Sequence, residues 1–217
     1  MEKLTITAHM KTPFITGGGY MTFDALLAGI LFDQLQDVEA AHASVPIKCT
    51  EGLFHASAAF YEPLNQSRVT FVANLRADHS LNASLLMKKP NGSGAIHTKI
   101  SRVRQSQFGA VMNSYDCKFS ETIEWHIEGD PDTIRKLIEP ISFIGKRRAS
   151  GFGEIRQWTI ESSELDGLKG LSNEPLRPIP IEKFTGDTSS LQIDTAWRPA
   201  YWHPTNRAIC YAPELSL

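Results

Sequence analysis

The sequence predicts an α+β fold of the ferredoxin-like, RRM-like type, with the element order βαββαβ. Two observations support this prediction: several stretches alternate apolar and polar residues as half-buried strands do, and two others repeat apolar residues with the helical period behind a capping residue. A third is the order, in which a helix follows the first strand and another precedes the last strand. In this fold two helices cover one face of an antiparallel sheet, and RNA-recognition domains bind RNA on the other face.

The first strand and the first helix are predicted near the N-terminus. Residues 3–10 place apolar side chains on every second position, which is typical of a half-buried strand. We interpret Gly17-Gly18-Gly19 as a flexible hinge, since it lacks the remaining residues of a phosphate-binding loop. Thr22 is placed to cap the helix, and Asp24 lies in its first turn, where the helix dipole favours a carboxylate. The apolar positions of this helix are Phe23, Leu26, Leu27, Ile30, Leu31 and Leu35.

Two further alternating runs, residues 54–60 and 69–75, predict a hairpin with a turn at residues 63–67. Residues 78–117 show little regular periodicity and contain Pro90-Asn91-Gly92-Ser93-Gly94, so we expect an inserted, mobile arm. Alternation resumes at residues 119–127, which predicts another strand.

The second helix is predicted by Asp130 as its cap and Pro131 at its first position, and Pro140 should end or kink it. A last strand follows at residues 153–161, where the alternation slips by one residue and predicts a β-bulge. We therefore expect residues 1–161 to form one ferredoxin-like domain. Residues 162–217 are rich in proline and are expected to pack on it as an extended tail.

Composition and charge narrow the function classes. A chain of 217 residues with 41% apolar content can bury one core, and its apolar runs are too short to cross a membrane, so we expect a cytoplasmic protein. Its three cysteines lack the spacing of a zinc site or a disulfide framework, so we expect packed, reduced thiols, no metal and no cofactor. The formal charge is −2, yet residues 86–118 hold six Lys or Arg against one carboxylate, and this segregation favours a polyanionic partner.

A basic loop bounded by glycines, residues 145–153, is the clearest candidate for binding RNA. Glycine allows a positive φ and a close approach of the main chain to a phosphate, while cations supply hydrogen-bond donors. Alternatively, the loop is the solvated C-terminus of the second helix, where cations suit the dipole and Gly145 ends the helix. The candidate RNA-binding residues are Gly145, Lys146, Arg147, Arg148, Ser150, Gly151, Phe152 and Gly153.

Three stretches resemble a known family. Residues 144–155 are similar to the glycine-rich loop of the RAMP superfamily of CRISPR-associated RNA-binding proteins, and they occupy the same place between the second helix and the last strand. Within that superfamily, residues 23–29 and 54–58 resemble the fifth Cas family, especially its type IV members. The resemblance spans residues 1–161, although Gly145 stands alone where the family loop often begins with paired glycines.

The resemblance implies a non-catalytic subunit of a type IV CRISPR effector ribonucleoprotein that caps the 5′ handle of the CRISPR RNA (crRNA). Its implied partners are backbone subunits of the seventh Cas family type, a large subunit, and target DNA near the protospacer-adjacent motif. The arm corresponds in position to a thumb hairpin that reaches toward the guide RNA, the alternative being a solvated loop. Its candidate RNA-binding residues are Lys88, Lys89, Lys99, Arg102 and Arg104.

Aromatic residues in the tail are a further candidate. Trp197, Tyr201 and Trp202 lie close to Arg198, a combination that can stack on bases. The alternative is that they anchor the tail to the domain.

Catalysis is the competing functional hypothesis. Some members of the superfamily cleave repeat RNA without metal, using a histidine as general base beside a cation. His42, after the first helix, and His55, in a predicted strand, are the candidates for a metal-independent endoribonuclease. An isolated histidine is more often structural, so we expect no catalytic residue.

Overall fold

The computed structural model describes residues 1–73 and 111–213. This part of the chain is mixed α/β with more strand than helix, in agreement with the predicted α+β class. The chain divides into two compact units, residues 1–66 with 117–217 and residues 67–116. In chain order the elements are β1 (Glu2–Met10), β2 (Phe14–Ile15), α1 (Phe23–Leu35), α2 (Val38–Ala43), β3 (Cys49–Thr50), β4 (Leu53–Phe54), β5 (Asn65–Ala73), β6 (Val111–Phe119), β7 (Thr122–Gly129), α3 (Pro131–Ile138), β8 (Ile155–Ser162), β9 (Ile179–Pro180), β10 (Gln192–Ala196) and β11 (Arg207–Tyr211).

The central sheet is built around β1, which lies between β7 and β8 and is antiparallel to both. The predicted first strand is confirmed, and its alternate apolar side chains are buried. The predicted bulge is confirmed as well: His9 pairs with Gln157 and Met10 pairs with Ile155, so Arg156 is the extra residue. The bulge shifts the register by one residue at the end of β8 that leads out of the glycine loop.

Both predicted helices are present and share one hydrophobic core with the sheet. Thr22 and Asp130 occupy the N-cap positions of α1 and α3, and Pro131 starts α3, as predicted. Neither cap side chain, however, makes the capping hydrogen bond that the prediction assumed. α3 ends at Ile138, two residues before Pro140. A short α2 follows α1, and the Asp37 side chain caps it by accepting a hydrogen bond from Ala40 N at 2.8 Å. The buried core includes Ile6, Leu27, Leu31, Trp125, Ile134 and Ile138.

The predicted hairpin between residues 54–60 and 69–75 is wrong. Residues 54–60 bridge to β7, where Ala56 pairs with Ile127 and Phe60 with Glu124, whereas β5 neighbours β6. Alternation along a strand shows which side chains share a face, but it does not identify the neighbouring strand. The C-terminal end of the expected arm has more regular structure than predicted, because residues 111–117 belong to β6.

The C-terminal extension has more regular structure than the expected extended tail. Strands β9, β11 and β10 form an antiparallel sheet, in that order, with its own cluster of buried side chains. Leu53 of β4 contributes to this cluster, so the extension and residues 1–66 share it. The other members are Ile179, Phe184, Trp197, Cys210 and Tyr211.

The cysteines are placed differently from one another. Cys117 and Cys210 are buried, as expected, and burial raises the pKa of the Cys210 thiol to about 11. The expectation of a packed thiol is wrong for Cys49, which is exposed on the two-residue strand β3. Among the described residues, no helix is long and apolar enough to span a membrane.

Candidate nucleic-acid interface

The glycine loop, residues 145–153, is fixed at both ends to the segment that contains β2. Lys146 N donates a hydrogen bond to Ile15 O at 2.7 Å, and Gly153 N donates to Pro13 O at 2.8 Å. The hydroxyl of Thr12 adds a third connection by donating to Gly151 O at 2.8 Å. These bonds hold the base of the loop in place while residues 146, 148, 149 and 150 remain exposed.

Two of the loop glycines are required by close backbone packing. Gly145 has φ +80°, and a Cβ atom there would lie 2.6 Å from Ile15 O. Gly153 has φ +77°, and a Cβ atom there would lie 1.9 Å from Ile144 O. Gly151 also has a positive φ, +86°, but faces open space. The backbone geometry at the two ends of the loop therefore explains why glycine occupies positions 145 and 153.

We expect Gly153→Ala to destabilise the protein more than Gly151→Ala. Both substitutions place a Cβ atom on a left-handed backbone, which costs about 1–2 kcal/mol. At Gly153 the methyl group would also overlap Ile144 O, so the bond from Ile144 N to Gly153 O, 2.9 Å long, would have to break or shift. Urea unfolding of the two variants measures the difference, and equal losses would contradict this account of the loop.

The interpretation of the loop as a helix C-terminus is wrong. α3 ends at Ile138 with Glu139 as its C-cap, so Gly145 does not terminate the helix. Residues 148–150 form a 3-10 turn of their own, preceded by Arg147 in the left-handed region with φ +59°. The cations are therefore not explained by the dipole of α3.

Two cations of the loop are available for a ligand. Among residues 1–73 and 111–213, Lys146 and Arg148 are exposed and have no acidic partner. By contrast, Lys11 beside the loop is paired with Glu154 at 2.7 Å. Cations that are held on a fixed base and lack a protein counterion are suited to bind phosphate groups.

A residue that sequence reasoning did not connect with this site is Gly17. A Cβ atom added to Gly17 would lie 3.5 Å from Cε of Lys146. The lysine side chain therefore lies against the exposed Gly17-Gly18-Gly19 segment. A run of three glycines indicates a bend or a close contact with another segment, but the sequence did not indicate which segment the glycines contact. The candidate interface therefore combines both glycine segments.

The exposed face of the central sheet is poorly suited to the RNA binding expected of an RRM-like platform. Opposite the core, β7 and β8 carry the carboxylates of Glu124 and Glu161, while Glu128 on the same face is paired with Lys48 at 2.9 Å. His126, on the same face, is half-buried and contacts the Thr5 hydroxyl at 3.1 Å, and burial lowers its pKa. Acidic groups at these positions oppose a phosphate backbone, so the glycine loop is the better candidate.

The remaining candidate RNA-binding residues differ in whether the structure describes them and in whether they are exposed. Lys88, Lys89, Lys99, Arg102 and Arg104 of the predicted arm lie outside the described residues. The Trp197 ring is buried against Lys183 and Arg198, and the Tyr201 hydroxyl bonds within the core, so both anchor the extension as in the alternative interpretation. Trp202 is 77% exposed.

The two candidate catalytic histidines have different surroundings. His55 is buried, its Nε2 lies 2.9 Å from the Thr50 hydroxyl, and its Nδ1 lies 3.3 Å from Glu128. Burial and the charge of Lys48 lower the pKa of His55, although Asp166 and Glu128 oppose the shift. His42 lies on α2 at the edge of a cavity that Arg198 also lines. His55 is therefore enclosed by polar and charged side chains, whereas His42 lies at the edge of a cavity.

A buried ion pair joins the C-terminal extension to α1. Arg177 and Asp24 are fully buried and lie 3.2 Å apart. The guanidinium also donates to Phe54 O, Ala56 O and Trp197 O, at 2.7, 3.0 and 2.9 Å. The Tyr201 hydroxyl donates to the other oxygen of Asp24 and accepts a bond from Arg177 at 2.6 Å.

Sequence reasoning missed this cluster. It explained Asp24 by the helix dipole and did not single out Arg177. The signal was a lone arginine in the apolar, proline-rich run of residues 175–181. A charge in such a run has to be paired when the run is buried.

The glycine loop and the C-terminal extension both lie in a region that matches a known protein family. The family model that matches describes CRISPR type IV associated protein Csf3 and covers residues 86–213, more than half of the chain. The match includes the glycine loop and the whole described extension, and the family is the Cas5-like subunit, as the resemblance of the sequence implied. A search of curated proteins found no significant match. The chain belongs to the Csf3 family of CRISPR type IV associated proteins.

Proposed function

We propose that this protein is the non-catalytic, RNA-binding subunit that caps the 5′ handle of the crRNA in a type IV effector ribonucleoprotein. The observation that carries the proposal is the pair of exposed cations, Lys146 and Arg148, on a glycine loop whose ends are hydrogen-bonded to residues 13–15. Neither cation has an acidic partner among the described residues, so both can contact RNA phosphates.

The proposal includes a ferredoxin-like fold. It is supported by the order β8, β1, β7 in the central sheet and by residues 54–60, which bridge to the free edge of β7. Packing of α1 and α3 against the same core supports it as well. In that fold the glycine loop connects the second helix to the last strand, and here it connects α3 to β8.

The proposed partners are the crRNA handle, the backbone subunits, the large subunit and target DNA near the protospacer-adjacent motif. Membership of a type IV family implies partner Cas proteins. The exposed cations of the loop favour RNA as one of the ligands, because a phosphate backbone attracts unpaired lysine and arginine side chains.

Incubation of the full chain with end-labelled repeat RNA in EDTA tests the proposal. Each reaction, and a control with scrambled RNA, is divided between a native gel and a denaturing gel. We expect repeat RNA that is retarded and intact. Absence of any preference for the repeat over the scrambled RNA contradicts the handle-capping role.

A shortened product of defined length in the same experiment would instead identify a metal-independent endoribonuclease. His42 is the histidine to test first, because it and Arg198 line the same cavity. Such chemistry requires a histidine as general base beside a cation. Loss of the product in His42→Ala, but not in Arg135→Ala on α3, would assign the general base.

A further inference from the structure

We propose that the outer side of α1 and α2 is a docking site for a protein subunit that inserts an apolar segment flanked by lysine or arginine. The site is a groove of about 440 Å³ between the two helices and residues 199–202, here called the α1–α2 groove. The inference deepens the proposed function, because the occupant is a subunit of the same ribonucleoprotein.

The first argument is the distribution of apolar residues on α1. Residues 25–32 are all apolar or glycine, so this part of the helix has no polar side. Leu27 and Leu31 face the core, whereas Phe32, which lines the groove, is 38% exposed. A helix that is apolar all round is normally covered on every side. The outer side of α1 therefore fits an interface with another protein.

The shape of the groove also suits an interface with another protein. Ala25, Ala28, Gly29 and Phe32 line it at positions i, i+3, i+4 and i+7 of α1. Small side chains at this spacing form a shallow track into which apolar side chains of a partner can pack. Trp202, 77% exposed, stands at the rim, and exposed tryptophans are frequent anchors of protein interfaces.

The charge around the groove selects the kind of partner. Residues 12–47 contain no Lys or Arg, whereas Asp33, Asp37 and Glu39 are exposed there. Arg198, which lines the adjoining cavity, is held by Asn206 at 2.8 Å and lies over the Trp197 ring. The exposed carboxylates repel a phosphate backbone and attract lysine or arginine, so a protein with a basic flank fits and RNA does not.

Gly29 offers a variant that blocks the groove without disturbing the fold. A Cβ atom at Gly29 would meet no atom within 4 Å, so a side chain there extends into open space. Replacing a helical glycine also removes a helix penalty of about 1 kcal/mol, so Gly29→Arg should keep or raise the melting temperature. The arginine would fill the groove and repel a basic partner. Gln34→Arg adds the same group to an exposed position of α1 that does not line the groove.

The experiment compares these variants in the effector complex assembled with its own co-subunits. We expect Gly29→Arg to reduce at least tenfold the fraction of this chain that co-purifies with a tagged large subunit or backbone subunit. Gln34→Arg should retain the wild-type fraction. Equal retention of the two variants would overturn the docking site.

Photo-crosslinking identifies what occupies the groove. With benzoylphenylalanine at position 202 in the assembled complex, we expect a crosslink to a subunit peptide in which apolar residues are flanked by Lys or Arg. A crosslink to crRNA, or to an acidic peptide, overturns the proposal. As isolated chains, both arginine variants should bind repeat RNA equally. The RNA-binding test and the subunit-docking test are therefore independent, and one proposal can fail without the other.

Discussion

Replacement of Arg177 with methionine is expected to lower the free energy of unfolding by about 3–5 kcal/mol, because it leaves a buried charge without a partner. Asp24 has no exposed surface, and Arg177 is its ion-pair partner at 3.2 Å. Three backbone carbonyls that accept from the guanidinium, on Phe54, Ala56 and Trp197, would lose a donor as well. Burial alone would disfavour the charge of Arg177, but Asp24 and Tyr201 outweigh it and raise the pKa of the guanidinium.

Urea unfolding of the full chain measures this effect, and two further variants test its cause. Arg207→Met removes an exposed arginine that lies 3.4 Å from Asp194, and should change stability by about 0–1 kcal/mol. The double variant Asp24→Asn with Arg177→Met removes the unpaired charge, so it should be more stable than Arg177→Met alone. If Arg177→Met costs no more than Arg207→Met, the cluster does not join the extension to α1 energetically.

The double variant Lys146→Ala with Arg148→Ala is expected to weaken binding of repeat RNA by about a hundredfold or more at low salt, since hydrogen bonds to charged groups contribute about 1.5–3 kcal/mol each. Both side chains are exposed and lack an acidic partner within the described ranges, so their loss should remove the proposed RNA contacts and leave the protein core unchanged. Fewer released counterions should also reduce the slope of log affinity against log salt by about 1.4, or about 0.7 for each cation.

A control with the same change in net charge separates local contact from long-range attraction. Arg135→Ala with Lys136→Ala removes two exposed cations from α3. It should lose less than about threefold in affinity at physiological salt, where charges beyond about 8 Å are screened. Electrophoretic titrations at several salt concentrations provide both quantities. If the two double variants behave alike, the loop binds RNA no more specifically than the rest of the surface.

The protein has two chemically different candidate surfaces. The glycine loop presents Lys146 and Arg148, which have no acidic partner among the described residues. The α1–α2 groove is lined by apolar side chains such as Phe32 and Val38, whose chain neighbours Asp33, Asp37 and Glu39 are exposed carboxylates. The first surface suits the proposed RNA ligand and the second suits the proposed protein partner. The family match reaches residue 213, so it includes the extension that Arg177 joins to α1.

Local sequence patterns predicted much of the framework. The alternation of residues 3–10, the helix starts at Thr22 and Asp130, and the bulge near Arg156 all depend on neighbours within a few positions, and each is confirmed. The position of the glycine loop between α3 and β8 was predicted for the same reason. Periodicity, capping and positive φ are properties of short segments, so the sequence by itself determined them.

Only the tertiary structure decided which distant segments meet. Residues 54–60 bridge to β7 and not to β5, Lys146 lies against Gly17, and Arg177 reaches Asp24 from 153 positions away. These contacts join segments far apart in the chain, and the preferences of each segment allow many such pairings. One arrangement satisfies them together because it buries the apolar faces and pairs the buried charge and carbonyl groups at the same time.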